Sequence, residues 1–534
     1  MPEIATIEVV FLLLLFFIVV FGVLAQTLNT PYPIVMVIGG LLLGFVPGIL
    51  DVSLNPDLIF LVVLPPLLYA SAWTTSWRDF HHNLISICFL AFGLVGFTVV
   101  GVAFIAPHVF PDFDWRLGLV LGAVVAPTDA IAASSIARRL GLPAHIVDIL
   151  EGESLINDAT GLLALQFAVA IVVSRQMPTL YTGLVTLGWL IVGGVGLGLL
   201  VGWIVDWVER RIDDGPIEIT LSLLVPYAVY FAADAVHASG VLAVVTCGLF
   251  LGRRSSHLFS PTVRLHISSF WQSFSFVLNG LVFVLLGLQL PALRKALSGV
   301  PLRTLILEGA VFSLVLILLR LVWIYPGTHF AWLLRTRVLH QTEPVPEAKQ
   351  IFVVGWTGMR GVLSLAAALA LPTVLANGQL FPHRHLIVFL TFSVIVVTLV
   401  VQGLTLPALI RLFGLAGGTG PTSEEQLARR IVLKAAVTHL EAAQRHDHRK
   451  SAGLYKDLIL HYRQRLAGLD PNFSNRAEVA SHDRNIEISR ETLIIERDTA
   501  IRLRNEGTIN DEILRRLERE LDLSETRFAM GDDQ

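Results

Sequence analysis

Apolar residues occupy positions 1–415 in stretches close to the ~20 residues that cross a bilayer, each closed by glycine, proline or charge. This pattern predicts about thirteen spans, centred near residues 14, 41, 66, 95, 127, 160, 195, 226, 246, 278, 318, 362 and 398. The period changes after residue 415. Ala416-Gly-Gly-Thr-Gly-Pro421 reads as a linker, and Ser423-Glu-Glu-Gln opens a helix whose apolar Leu427, Ile431 and Ala435 recur every fourth position. The predicted fold is an all-α polytopic membrane domain over 1–415, with a charged helical tail over 422–534.

Composition agrees: 54% of residues are hydrophobic and 15% charged, against roughly a quarter charged in soluble domains. A formal net charge of −3 gives no electrostatic case for nucleic acid. Two cysteines, Cys88 and Cys247, both inside apolar runs, are too few for a zinc site or a disulfide framework and read as packing residues. The segment Ile4 to Ala25 lacks a basic leader and reads as a retained first span. With the N-terminus outside, eleven Lys and Arg residues fall in cytoplasmic connections and six in outer ones, and the tail lies in the cytoplasm. The outer connections then include the acidic or neutral segments 51–57 and 107–114.

Against this apolar background a few charges stand out, because a charge in the hydrocarbon layer costs at least ~2.5 kcal/mol. The fifth span carries Pro127, Thr128 and Asp129 near its midpoint. Proline removes a donor and frees carbonyls in the preceding turn, and a carbonyl beside an acid suits a hard cation. In the sixth span Glu151, Glu153, Ser154, Asn157, Asp158 and Thr160 lie within three turns. Helical spacing puts Ser154 with Asp158 on one seam, offering oxygens, and Glu153 with Asn157 on the next, suited to fixing the helix. Glu151 is nearest the cytoplasmic end and close to water.

In the twelfth span Arg360 lies between Gly358 and Gly361, and Glu153 is the natural anion for so deep a guanidinium. Arg320 is a second intramembrane cation, read as snorkelling or structurally paired rather than transporting. Pro65-Pro66 is expected to kink the third span. Asp234, His81, His82, His237 and His266 read as solvated or interfacial residues.

Desolvation favours a neutral carboxyl and a bound cation favours the ionised one, so protons and Na⁺ compete for one set of oxygens. Asp158 is the expected titrating ligand, joined by Asp129, Ser154 and a carbonyl near Thr128. A site that reorients only when loaded turns competition into coupled exchange, with no covalent step and no cofactor. A K⁺/H⁺ antiporter of the same fold is the first alternative, and a cation channel could use the same oxygens. An aspartyl protease built on Asp129 and Asp158 would lack the Gly-x-Gly-Asp signature and leave Arg360 without a part.

Ala126-Pro-Thr-Asp129, Glu151-Gly-Glu-Ser-Leu-Ile-Asn-Asp158, Gly358-Met-Arg-Gly361 and Val401-Gln-Gly-Leu-Thr-Leu-Pro407 together resemble the monovalent cation:proton antiporter-1 family, over residues 5 to 415. That resemblance implies inverted repeats with broken helices crossing near the midplane, a homodimer, and a core domain moving against a dimerisation domain. It implies an ion held at Asp158, Asp129, Ser154 and Thr128, with Glu153, Asn157 and Arg360 as a supporting polar link. The Asn157-Asp158 pair resembles members that exchange one cation per proton. One departure is that Tyr69 is followed by Ala70, where many relatives carry an acid.

Overall fold

In a computed structural model the described residues are 2–46, 59–110, 113–174, 179–338, 340–341, 345–375, 378–417, 423–446, 452–468 and 494–503, with a few isolated later positions. The predicted outer connection 51–57, Arg175, most of the linker and much of the tail beyond 468 lie outside them. The chain divides into two compact units, Met1–Gly417 and Gly418–Gln534.

The first unit is helical: α1 (Pro2–Thr27), α2 (Tyr32–Gly44), α3 (Ile59–Thr74), α4 (Trp77–His82), α5 (Leu84–Val109), α6 (Trp115–Val125), α7 (Ala130–Arg139), α8 (Ala144–Ser174), α9 (Leu180–Glu209) and α10 (Gly215–Ala235). There follow α11 (Gly240–Leu258), α12 (Pro261–Leu288), α13 (Leu290–Ala296), α14 (Leu302–Arg337), α15 (Ala348–Trp356), α16 (Val362–Leu369) and α17 (Arg384–Leu412). Among the described residues nine helical stretches are long and apolar enough to cross a membrane, each covering one of the thirteen predicted centres. The other four predicted centres, near 41, 66, 246 and 362, fall on the short α2 and α3, on α11 with Arg253 and Arg254 near its end, and on the interrupted α15/α16.

Helix starts follow from short polar side chains that satisfy the free N–H groups of a first turn. Asp114 Oδ1 accepts from Leu117 N at 2.9 Å to open α6, and Asp214 Oδ1 from Ile217 N at 3.1 Å to open α10. Ser239 does the same for α11. Pro65 and Pro66, which lack N–H groups, sit in the turn where α3 passes from a π-helical stretch, Ile59–Val63, to regular α-helix.

Two hydrophobic clusters form the interior. One gathers residues of α1, α2, α5 to α8, α12 and α14 to α17, and the other residues of α3, α8 and α9 to α11 with Trp271 of α12. Outside both, α1 and α9 present bare apolar faces, among them Phe11, Leu12 and Phe16 on α1 and Trp189, Trp203 and Trp207 on α9. Such faces are stable only against lipid or another protein.

Helices α2 and α12 cross at glycines. A Cβ on Gly40 would stand 2.3 Å from the Val284 carbonyl oxygen, and one on Gly287 2.5 Å from Leu41 N. Because backbone rather than a flexible side chain fills each space, Gly40→Ala is expected to destabilise the protein by about 1–3 kcal/mol, seen as a lower unfolding temperature in detergent. An unchanged temperature would mean that the two helices separate freely.

In the second unit α18 (Ser423–His446) and α19 (Ala452–Gly468) pack together, with Arg463 Nη2 to Glu441 Oε1 at 2.6 Å. The buried side of α18 is Leu433 and Val437. Leu427, Ile431 and Ala435, the expected apolar face, are exposed. Val432 and Leu433 belong to the same apolar run, so the four-residue repeat had two possible registers and packing against α19 took the later one.

Candidate functional site

Helices α6 and α7 are two halves of one span, parted at 126–129, and α15 and α16 are halves of another, parted at 357–361. The two gaps cross. Asp129 N donates to Met359 O at 2.8 Å, and a Cβ on Gly361 would collide with the Asp129 carboxylate at 2.5 Å. Only glycine allows this approach, which is the local reason for Gly361.

Asp129 caps its own half-helix, its Oδ1 accepting from Ile131 N at 2.8 Å. Its carboxylate therefore lies where the positive amino ends of α7 and α16 converge. Beside it runs α8. Ser154 Oγ accepts from Ala130 N at 3.3 Å, tying α8 to the start of α7. Asp158, one turn further along α8, makes no hydrogen bond to any described residue. Thr128, Asp129, Ser154 and Asp158 all line one cavity of about 110 Å³, together with Ser71 of α3, Asn279 of α12 and Ser364 of α16. It sits at the seam between the two hydrophobic clusters, the rest of its wall being apolar residues such as Val63, Leu68 and Phe283. Two carboxylates and several neutral oxygens around a small volume form a donor set for a hard cation.

The seam of Glu153 and Asn157 lies behind this wall. Thr128 Oγ1 donates to Glu153 Oε1 at 3.0 Å and accepts from Asn157 Nδ2 at 2.7 Å, so its hydroxyl holds the break and is turned toward the Glu153 seam.

The expected pairing of Arg360 with Glu153 is not what the structure has. Arg320 takes that place, with Nη1 to Glu153 Oε1 at 2.6 Å and Nη2 to Oε2 at 2.9 Å, both side chains 1% exposed. Arg320 also donates to Gly355 O at 3.0 Å and Val354 O at 3.2 Å, carbonyls in the last turn of α15. Burial rules out snorkelling for it. Arg360 instead donates through Nε to Val125 O at 2.9 Å, the final carbonyl of α6, and through Nη1 to Gly358 O.

Each interrupted span thus ends its first half on a guanidinium: α15 on Arg320 and α6 on Arg360. The physical reason is that a broken helix leaves carbonyls without donors and a negative dipole end, and arginine supplies both hydrogen bonds and charge. Sequence reasoning sought an acid for Arg360 and overlooked the carbonyls next to it.

Residues away from the cavity are accounted for more simply. Glu151 pairs with Arg138 at 2.8 Å at the exposed end of α8, and Asp234, His81, His82, His237 and His266 are exposed. Both cysteines are free, Cys247 fully buried and Cys88 partly. Ala70 does not line the cavity, whereas its neighbour Ser71 does.

The transmembrane sodium/hydrogen exchanger family model matches residues 12–412. The chain belongs to that family. It is a multi-pass membrane protein of an antiporter family that carries monovalent cations and protons. An uncharacterised Na⁺/H⁺ exchanger of Mycobacterium tuberculosis is 33% identical over 96% of this chain and 94% of its own length. A sodium, potassium, lithium and rubidium/H⁺ antiporter of Bacillus pumilus is 32% identical over 82% of this chain and 66% of its own. The structure of a sodium proton antiporter from Methanocaldococcus jannaschii superposes with a TM-score of 0.61 at 19% identity, covering 78% of this chain and all of that one, and so shares its fold.

Proposed function

We propose that this exchanger moves Na⁺ or Li⁺ against H⁺ by alternating access, one cation per proton, across the plasma membrane. The observation that carries the reading is the meeting of Asp129 and Asp158 in one cavity at the crossing of two interrupted helices. Na⁺ held by Asp158, Asp129, Ser154 and the Thr128 backbone offsets one negative charge, the same charge that a proton on Asp158 offsets, while Asp129 stays at the amino ends of α7 and α16. Either cargo lowers the cost of moving charge through an apolar seam by the same amount, and the unloaded site stays put.

Glu153, Asn157, Arg320 and Arg360 hold the frame rigid around that site and carry no ion. The N-terminus lies outside and the tail in the cytoplasm, in keeping with the distribution of Lys and Arg. Two copies associate as a homodimer, and the bare apolar faces of α1 and α9 support this reading by offering surface for a partner as well as for lipid.

A second reading, exchange of K⁺ as well, is favoured by the breadth of cations named for the Bacillus pumilus relative. Proteoliposomes holding the purified protein and a preset pH gradient decide between the two. Addition of Na⁺ or Li⁺ is expected to dissipate the gradient and K⁺ to leave it standing. Equal dissipation by K⁺ would establish the broader exchanger. Dissipation by none of the three, at any pH, would overturn both readings.

A further inference from the structure

We infer that Ser364 is a cation ligand, supplying a neutral oxygen from the second interrupted span and making the site select small cations. The inference rests on the exchange reading above and extends it to a residue outside the expected set.

Ser364 is 1% exposed, lines the cavity shared by Asp129, Ser154 and Asp158, and its Oγ has no hydrogen-bond partner among the described residues. Three other buried hydroxyls in this chain behave differently. Ser313 donates to Gly309 O at 2.6 Å, Thr391 to Ile387 O at 2.8 Å and Thr398 to Val394 O at 2.8 Å, each returning its proton to the carbonyl four residues earlier. For Ser364 the residue four positions back is Arg360, inside the 357–361 interruption, where the backbone has left the helix. Denied that carbonyl, the hydroxyl stands free in the first turn of α16 and lines the ion cavity. A buried, unpaired polar atom is costly, and a cation with oxygen ligands is a partner that removes the cost.

The neighbouring hydroxyls leave room for this role. Thr128 Oγ1 is fixed between Glu153 and Asn157 behind the wall, whereas Ser154 Oγ accepts only from Ala130 N and keeps a lone pair for a metal. With Ser364 included, side-chain ligands come from α8, from the gap before α7 and from α16, so a bound ion ties both interrupted spans together. The cavity of about 110 Å³ exceeds the ~30 Å³ that one water takes in the liquid, so the ion keeps part of its hydration shell. A hydroxyl fixed on a short helix wedged by Gly361 against Asp129 cannot retreat to fit a larger ion.

The test uses full-length protein in proteoliposomes, with initial exchange rates measured against Na⁺, Li⁺ and K⁺ concentration at fixed pH. Ser364→Ala is expected to raise KM for Na⁺ and Li⁺ about tenfold with the maximal rate within about twofold, the signature of lost ground-state binding. Ser364→Cys, of similar volume but with a soft donor, is expected to shift KM the same way, and Ser364→Thr, which keeps the oxygen, to restore most of the affinity.

Unchanged KM in both the Ala and Cys variants would overturn the ligand role, as would a rise in Ala alone. An equal rise for all three cations with a collapsed maximal rate would assign Ser364 to packing instead. Asp158→Asn, run beside them, separates the two levels: if it still exchanges, the underlying site is wrong; if it is inactive while the Ser364 variants behave as wild type, only this inference fails.

Discussion

Arg320→Gln is expected to cost about 3–5 kcal/mol of stability, because it leaves Glu153 charged, buried and without its two-pronged partner. The same change removes the guanidinium donors to Gly355 O and Val354 O, leaving the latter only the Thr357 hydroxyl, so the interruption that positions Gly361 and Ser364 loosens as well. In thermal unfolding of the purified protein the variant should melt well below wild type. Arg320→Lys should recover little, since a single ammonium cannot reproduce the planar fork that meets both carboxylate oxygens and two carbonyls. Adding Glu153→Gln to Arg320→Gln should recover part of the loss, because the uncompensated charge is then gone. A double variant no more stable than the single one would show that the pair is not what holds α8 to α14 and α15.

Why the frame is built from arginines follows from what interrupted helices lack. In water a broken span would hydrate its carbonyls, but in an apolar interior those groups need protein donors. Arg320 and Arg360 each serve one break, and each stands behind the cavity wall rather than in it: neither lines the cavity that holds Asp129 and Asp158. Positive charge is thus placed to stabilise backbone without occupying the cation's place.

Much of this was legible in the sequence, and the reasons differ residue by residue. Asp129, Ser154 and Asp158 were conspicuous because a charge in an apolar run has few explanations, and helical spacing alone placed Ser154 and Asp158 on one seam. Thr128 was recognised through Pro127, whose missing N–H announces a break. The partner of Glu153 could not be read, since Arg320 lies 167 residues away and two buried arginines were equally available. Arg360 was misassigned because its acceptors are carbonyls exposed by the interruption it belongs to, and the interruption from 357 to 361 contains no proline to mark it. Ser364 gave no signal at all: a serine in an apolar helix ordinarily bonds back to its own turn, and only the position of the break denies it that bond. All thirteen predicted centres fall on helices, but the lengths of four could not be read from hydropathy, since the described parts of α2 and α3 are short and α15/α16 are halves.

The largest functional effect is expected at Asp158. Its carboxylate lines the cavity without any hydrogen bond to the described residues, whereas Asp129 is engaged in capping α7. A group without a structural bond is the one free to alternate between proton and cation. Asparagine in its place keeps the shape and stays neutral at every pH, so it holds no Na⁺ tightly and releases no proton. Competition for one carboxylate also fixes a sign in the wild type: lowering the pH should raise the apparent KM for Na⁺, since protons then fill the site, while saturating Na⁺ restores the rate.

The decisive measurement is Na⁺-driven dissipation of a pH gradient in proteoliposomes, comparing wild type with an Asp158→Asn variant whose unfolding temperature matches it. Dissipation by wild type that falls to the background of protein-free vesicles in the variant is the predicted result. Exchange persisting in the folded variant would contradict the account and remove Asp158 from the transport cycle.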